Sequence, residues 1–177
     1  MTNTRKLTTM AILTALSVCF VALIHFPIFP AVAFLEYDPA DIPILICGFA
    51  FGPAAGFIVT LIAAFIQGFT VSAQSGIYGI IMHIIATGTF VLVAGFLYQK
   101  HKTKKGAMLA LLCGVVAWGL IMMPANLIIT PIFTGMPVEA IRGILLPIIL
   151  PFNLIKAGIN AVVTFLVYKS VSPLLHR

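Results

Sequence analysis

Long stretches of hydrophobic residues run through this chain, separated by short polar or proline-containing segments. A helix of about 20 apolar residues is long enough to cross the hydrocarbon core of a bilayer. The pattern therefore predicts an all-α integral membrane protein with six transmembrane helices, in which residues 1–177 form a single membrane domain. The predicted spans are residues 7–26, 42–52, 54–69, 77–98, 107–130 and 151–171.

The last predicted span carries three polar residues, Asn153, Lys156 and Asn160, at spacings of three and four. These spacings place the three side chains on one face of a helix. A lysine at the centre of a bilayer costs about 2.5–3.5 kcal/mol on insertion scales. Lys156 lies near the start of its span, so snorkelling to the membrane surface is an alternative to a buried site. Snorkelling does not explain the two asparagines, and the pattern favours a polar site inside the bundle.

The composition agrees with a membrane protein, since 62% of the 177 residues are hydrophobic, 8% are charged and the mean hydropathy is +1.19. A soluble domain averages about 25% charged residues. The net charge of +6 comes mostly from the chain ends and residues 100–105, which does not indicate a nucleic-acid-binding surface. Cys19, Cys47 and Cys113 lie in apolar runs without CxxC spacing. We expect all three to be buried and to form neither a disulfide nor a metal site.

The positions of the basic residues predict the orientation in the membrane. With six spans, both termini lie on the same side as residues 100–105, together with Arg5, Lys6, Lys169 and Arg177. Because basic residues concentrate in cytoplasmic segments, this side is expected to be the cytoplasm. The four acidic residues then fall on the outer side.

The first span has two features that bear on its role. Ala11 and Ala15 are four residues apart, a spacing at which small side chains let another helix approach closely, although alanine is common in any membrane helix. Arg5 and Lys6 before the apolar stretch, with Ala-Val-Ala at 31–33, also resemble a cleaved signal peptide. The apolar stretch is longer than an ordinary signal sequence and further spans follow, so we expect an uncleaved first helix.

Polar residues from distant segments are gathered at the outer ends of the predicted helices. Asparagine both donates and accepts hydrogen bonds and lysine donates three, which suits a polar heterocycle or an anionic small molecule held between helices. Aromatic residues such as Phe34 and Trp118 can supply the walls, although aromatic residues in membrane proteins more often serve packing. The polar set consists of Glu36, Asp38, Asp41, Gln67, Asn126, Asn153 and Lys156.

The motifs of several function classes are missing from the sequence. It contains no GxxxxGK[ST] loop for ATP, no HExxH and no nucleophile elbow. His25, His83 and His101 do not have the spacing of metal ligands, and each is expected to be structural or interfacial. We therefore expect neither an enzyme nor a bound cofactor or metal, and a transporter of this kind needs a partner that supplies energy.

Three segments resemble a known family: residues 34–56, 124–133 and 151–169. Over essentially its whole length the chain resembles the substrate-binding S components of energy-coupling factor (ECF) vitamin transporters, and it is most similar to the riboflavin-specific members. The resemblance implies six transmembrane helices with cytoplasmic termini in a bacterial cell membrane. It also implies a vitamin pocket near the outer face, with the first loop as part of its lid.

The resemblance implies roles for individual residues as well. Asn126, Asn153 and Lys156 match polar positions that contact the flavin, which is the transported substrate and not a cofactor. Ala11 and Ala15 occupy the place where the family packs against a transmembrane coupling subunit, which acts with two cytoplasmic ATPase subunits. The candidate ligand-binding residues are Asn126, Asn153, Lys156, Gln67, Asp38 and Tyr37.

Several alternatives to a riboflavin-binding subunit remain at this point. The chain could be an S component for another vitamin such as pantothenate, or a stand-alone small-molecule carrier or channel. A membrane enzyme would need a catalytic constellation, and the sequence shows none. A purely structural subunit would have no reason to hold Lys156 beside two asparagines in a span.

Overall fold

The computed structural model describes residues 3–175, so Arg177, one of the predicted cytoplasmic residues, lies outside the described part. Two short strands, β1 (Phe26–Pro27) and β2 (Glu36–Tyr37), pair antiparallel in the first loop, with Phe26 opposite Tyr37. The described residues are otherwise mostly helical. The α-helices are α1 (Asn3–Leu23), α2 (Asp41–Phe51), α3 (Pro53–Phe69), α4 (Gly76–Lys100), α5 (Lys104–Thr134), α6 (Val138–Ile144) and α7 (Leu150–Leu175).

Four helical segments in the described chain are long and apolar enough to cross a membrane. The shorter apolar helices α2 and α3 have 11 and 17 residues. At 1.5 Å per residue, α2 extends only about 16 Å and does not by itself reach across a hydrocarbon core of about 30 Å. Six complete spans therefore stay a prediction. The four long segments are Asn3–Leu23, Ala73–Lys100, Lys104–Thr134 and Val138–Ser170.

A glycine turn folds α3 back against α2. Gly52 joins the two helices at a φ of 96°, which a residue with a side chain rarely adopts, and Pro53 opens α3 at its first position. Gly48 and Gly56 then face each other so closely that a Cβ on Gly56 would lie 2.9 Å from the Cα of Gly48. Small residues at such a crossing let two backbones touch, as in other membrane helix pairs.

The region from α5 to α7 is more helical than the sequence predicts. Proline lacks an N–H and often kinks or ends a helix, but α5 continues past Pro124 to Thr134, beyond the predicted end of the fifth span at residue 130. The stretch between the fifth and sixth predicted spans, residues 131–150, is also largely helical, since α6 is followed by one π-helical turn, Leu145–Ile149, that leads into α7. This wider turn contains Pro147, and π-turns are a common way to accommodate an interruption of the regular hydrogen bonds.

Helix α2 forms the centre of the bundle. Every residue from 41 to 49 is buried, as expected for a helix that is apolar on all sides. Helix α1 packs at the edge and has many exposed apolar residues. Cys19 on α1 is exposed, and only Cys47 of the three cysteines is fully buried. The expectation that all three are buried was wrong, because apolar surroundings in a membrane helix do not distinguish the core from the lipid-facing side.

We expect Gly56→Ala to lower the free energy of unfolding by about 1–3 kcal/mol, since the new methyl group meets the backbone of Gly48. Gly158→Ala is the matched control, because a Cβ at Gly158 on α7 has no atom within 4 Å. This control should unfold at the same or a higher temperature, since alanine favours a helix over glycine. Thermal unfolding of the detergent-purified variants makes the comparison. Equal shifts for both would contradict the close α2–α3 contact.

Candidate functional site

A cavity of about 180 Å³ lies between the first loop and the adjoining ends of α3, α4, α5 and α7. This volume exceeds by far the space that a single ordered water needs. Phe34, Trp118 and Phe152 supply aromatic wall surface. The polar or charged residues in the wall are Glu36, Asp38, Gln67, Ser72, Ser75, His83, Thr87, Asn126, Asn153 and Lys156.

An ion pair between Lys156 and Asp38 joins α7 to the first loop. The Nζ atom of Lys156 donates to Oδ2 of Asp38 at 2.6 Å and to the carbonyl oxygen of Glu36 at 3.2 Å. The two side chains are only 13% and 12% exposed, and Oδ1 of Asp38 accepts from the Ala40 N–H at 3.0 Å. Lys156 therefore lies in the cavity wall and not on the lipid-facing surface.

The charge of Asp38 is stabilised by this contact. Burial by itself raises the pKa of a carboxyl group, because it disfavours the charged form. Here the ammonium of Lys156 outweighs burial and holds the pKa of Asp38 below its ordinary value. Asp38 is thus ionised at neutral pH, and the pair places one positive and one negative charge side by side in the wall.

Asp41 does not line the cavity, although the sequence placed it in the outer polar cluster. It is fully buried at the start of α2, where its carboxylate accepts from Thr87 Oγ1 at 2.6 Å and from Asn160 Nδ2 at 2.7 Å. Asn160 Nδ2 also donates to the carbonyl oxygen of Asp38 at 3.1 Å. Asn160, the third member of the polar face, therefore fastens α7 to α2 and to the first loop.

Tyr37 also lies outside the cavity wall. Its hydroxyl donates to Oδ1 of Asn160 at 3.1 Å, and its ring contacts Phe26 across the two-stranded sheet with ring centres 5.5 Å apart. Burial, together with the nearby Asp38 and Asp41 carboxylates, raises the pKa of Tyr37. The structure thus does not bring Tyr37 together with the other candidate ligand-binding residues, because its hydroxyl is used to hold the loop in place.

The asparagines at 126 and 153 line the cavity and are held by bonds from within the bundle. Trp118 Nε1 donates to Oδ1 of Asn153 at 2.7 Å, and Nδ2 of Asn153 donates to the carbonyl oxygen of Ile149 at 2.8 Å. Oδ1 of Asn126 accepts from Thr130 Oγ1 at 2.8 Å. Each amide is therefore oriented before any ligand arrives.

Gln67 lies at the junction of α3, α1 and the segment before α2. Its Nε2 donates to Ser17 Oγ at 3.3 Å, and that hydroxyl donates to the carbonyl oxygen of Ala40 at 2.8 Å. The residue is 5% exposed and contributes to the cavity wall. Gln67 thus connects the wall to helix α1.

His83 is a wall residue that the sequence did not identify. Its ring lines the cavity, and its Nε2 is buried without a hydrogen-bond partner in the described part of the chain. A buried polar atom without a partner costs about 1–3 kcal/mol. The imidazole therefore keeps unused hydrogen-bonding capacity at the cavity. Only its position in space indicates this, since a single histidine in a predicted span has no periodic partner.

Ala11 and Ala15 do not line the cavity and lie on the exposed side of α1. They border an apolar groove of about 350 Å³ between α1 and α3. The α3 side of the groove is formed by Ile58, Val59, Ile62 and Ile66. Because the side chains of the two alanines are small, a further helix could approach the surface closely here.

We expect Lys156→Met to lower the free energy of unfolding of the empty protein by about 3–5 kcal/mol, because it leaves the Asp38 carboxylate buried without its cation. Adding Asp38→Asn should restore most of the loss, since neither charge then remains. Denaturant unfolding of the two single variants and the double variant measures the coupling. Strictly additive losses would contradict a direct interaction.

The fold and the cavity define a class of protein: a mainly helical membrane protein with a cavity between its helix ends, where small-molecule sites commonly occur. The chain belongs to the family "ECF transporter, substrate-specific component", which matches residues 5–168. The family resemblance inferred from residues 34–56, 124–133 and 151–169 is confirmed. The family consists of transporter components and not enzymes.

The similarity to named relatives extends over nearly the full chain. The riboflavin transporter FmnP of Bacillus subtilis is 30% identical, covering 98% of this chain and 95% of its own. The riboflavin transporter RibU of Streptococcus thermophilus is 29% identical, covering 99% and 86%. A solved structure described as "Structure and mechanism of the S component of a bacterial ECF transporter" superposes with a TM-score of 0.85 at 26% identity, over 99% of this chain and 100% of that one.

Proposed function

We propose that the protein binds riboflavin in the cavity, as the substrate-binding subunit of an ECF vitamin uptake transporter. The observation that carries this proposal is the wall itself, in which Lys156, Asn153 and Asn126 lie around one hollow beside aromatic rings. The similarity to riboflavin transporters over the full chain supports the same ligand.

The chemistry of the wall suits an uncharged polar molecule. Riboflavin is neutral at neutral pH and combines a planar ring system with a chain of hydroxyl groups. The rings of Trp118 and Phe152 offer surface for a planar ligand, while the asparagines offer donors and acceptors. An anion such as pantothenate is disfavoured, because the Lys156 charge is already neutralised by Asp38.

We further propose that the cavity opens to the outside of a bacterial cell membrane, in a single domain with six spans and both termini in the cytoplasm. Helix α4 runs for 25 residues, about 37 Å, from the cavity end to Lys100. The basic residues at 100–105 therefore lie at the opposite end of the bundle from Glu36 and Asp38. The positive-inside rule then assigns the cavity end to the outer side.

The energy for uptake would come from partner subunits, since the sequence has no motif for ATP phosphates. We propose that a transmembrane coupling subunit packs against the groove at Ala11 and Ala15, and that two cytoplasmic ATPase subunits complete the transporter. The open groove between α1 and α3 supports this docking face. A helix can approach closely there, because the two alanines project little from α1.

The direct test of the ligand is purification of the protein followed by spectroscopy of bound flavin. We expect a yellow preparation, and quenching of flavin fluorescence on titration of the emptied protein. Asn153→Ala and Lys156→Ala should each weaken binding by about 1–3 kcal/mol, since each leaves a ligand group without a partner. Ile159→Ala is the control, because Ile159 is an exposed residue of α7 outside the cavity.

Three outcomes would contradict this proposal. Unchanged affinity in both Asn153→Ala and Lys156→Ala would place the ligand elsewhere. Thermal stabilisation by another vitamin, with none by riboflavin, would assign the cavity to that compound. Uptake by the protein alone in proteoliposomes would favour a stand-alone carrier.

We expect Ala11→Leu and Ala15→Leu to abolish ATP-driven uptake while riboflavin affinity stays within about twofold, because the larger side chains fill the groove and leave the cavity unchanged. Ala22→Leu is the control, since Ala22 is exposed on the same helix but does not border the groove. Uptake by the reconstituted complex and flavin titration provide the two readouts. Equal losses of uptake and binding would indicate misfolding instead of a blocked docking face.

A further inference from the structure

A second hollow of about 350 Å³ lies at the opposite end of the bundle from the riboflavin cavity. It is formed where the loop between α4 and α5 meets the ends of α2 and α7. We call it the basic pocket, and we define it by its three lysines and three of its aromatic residues. These residues are Lys102, Lys104, Lys169, Phe49, Tyr98 and Tyr168.

The aromatic residues form a fixed floor for the basic pocket. Phe49 stacks on Tyr98 with ring centres 4.2 Å apart, and Tyr168 meets both rings edge-on at 5.2 and 5.6 Å. The three rings come from α2, α4 and α7, so they hold three helices at one point. The hollow therefore belongs to the packed bundle and is not merely a space between surface side chains.

The charges around the basic pocket are all of one sign. Lys104 and Lys169, which carry like charges, line the same hollow. Lys104 is the first residue of α5, where the helix dipole adds positive potential. The four acidic residues of the chain lie at 36, 38, 41 and 139. Residue 139 lies beyond the far end of α5, and the 31 residues of this helix extend about 46 Å from Lys104.

No carboxylate side chain of the protein is therefore available to neutralise these lysines. Thr103 adds one hydroxyl group to the wall, whereas Ala107, Phe165 and Leu166 are apolar. Leu166 is 65% exposed on the surface of α7. A free anion would interact with the lysines and hydroxyl groups and would leave the apolar surface uncovered. A molecule with an anionic head and a hydrocarbon tail would cover both kinds of surface.

We propose that the basic pocket binds an anionic phospholipid, with the headgroup phosphate between Lys104 and Lys169 and an acyl chain along Leu166. Lysine binds phosphate as a compact charge, and basic pockets between membrane helices are suited to anionic headgroups. The site is independent of the riboflavin cavity, and it does not require the proposed ligand to be correct.

The test is native mass spectrometry of the full-length protein with phosphatidylglycerol and, separately, with phosphatidylcholine of the same acyl chains. We expect preferential retention of phosphatidylglycerol. The double variant Lys104→Gln/Lys169→Gln should weaken its binding by about 25-fold, since each lysine near an anionic headgroup contributes about fivefold. Lys100→Gln/Lys105→Gln is the matched control, because it removes the same charge from outside the pocket.

Riboflavin titration of both double variants separates this proposal from the previous one, and the affinity should be unchanged in each. Equal retention of the two lipids, or equal weakening in the control variant, would overturn the proposed site. If inorganic phosphate stabilises the protein against heat as much as phosphatidylglycerol does, the assignment to a lipid is overturned and the pocket is a site for free anions. Chemical acylation of the pocket lysines gives a further check. If these lysines are protected only after the coupling subunit is added, then a protein, and not a lipid, covers the basic pocket.

Discussion

The requirement that a cation inside an apolar bundle must have a partner underlies the arrangement of the cavity. Lys156 emerges from α7 among hydrophobic residues, and its ammonium is satisfied by Asp38 and by the Glu36 carbonyl oxygen. Both partners belong to the first loop, so the ion pair attaches that loop to the wall of the cavity. A buried ion pair is often no more stabilising than apolar residues of similar volume. Its presence here is therefore better explained by the polar site that it builds than by the stability it adds.

A second set of bonds keeps this arrangement rigid. Asn160 accepts a hydrogen bond from the Tyr37 hydroxyl and donates to Asp41 and to the backbone of the first loop. One amide therefore connects α7, α2 and the two-stranded sheet. Asn153 is oriented in a similar way by Trp118. Groups that are held before binding lose little freedom when a ligand arrives, which favours affinity. His83 differs from these asparagines, because its Nε2 has no hydrogen-bond partner among the described residues, although its ring lies in the same cavity wall.

The sequence predicts the polar face of α7 well, because residues three and four apart must share a side of a helix. The boundary between the predicted spans 42–52 and 54–69 also coincides with the turn at Gly52, where glycine and proline leave few conformations. The sequence could not assign individual roles along the polar face, since the partners of Asn160 are more than 100 residues away. Periodicity likewise gave no means to place Tyr37 behind the wall or His83 within it. The helical character of 138–149 was missed because tertiary packing accommodates Pro147, which local preference treats as a break.

The two ends of the bundle differ in whether their lysines lie beside acidic side chains. At the cavity end, the cation is neutralised by a carboxylate of the protein, so little net charge is left to attract an anion. This condition favours an uncharged ligand that is recognised by hydrogen bonds and ring surface. At the other end, three lysines line one hollow, and no acidic side chain of the described residues lies in its wall, so the proposed anionic headgroup would be supplied from outside the chain. The proposed preference for a neutral vitamin at one end and the proposed affinity for an anionic headgroup at the other would thus both depend on where the four acidic residues lie.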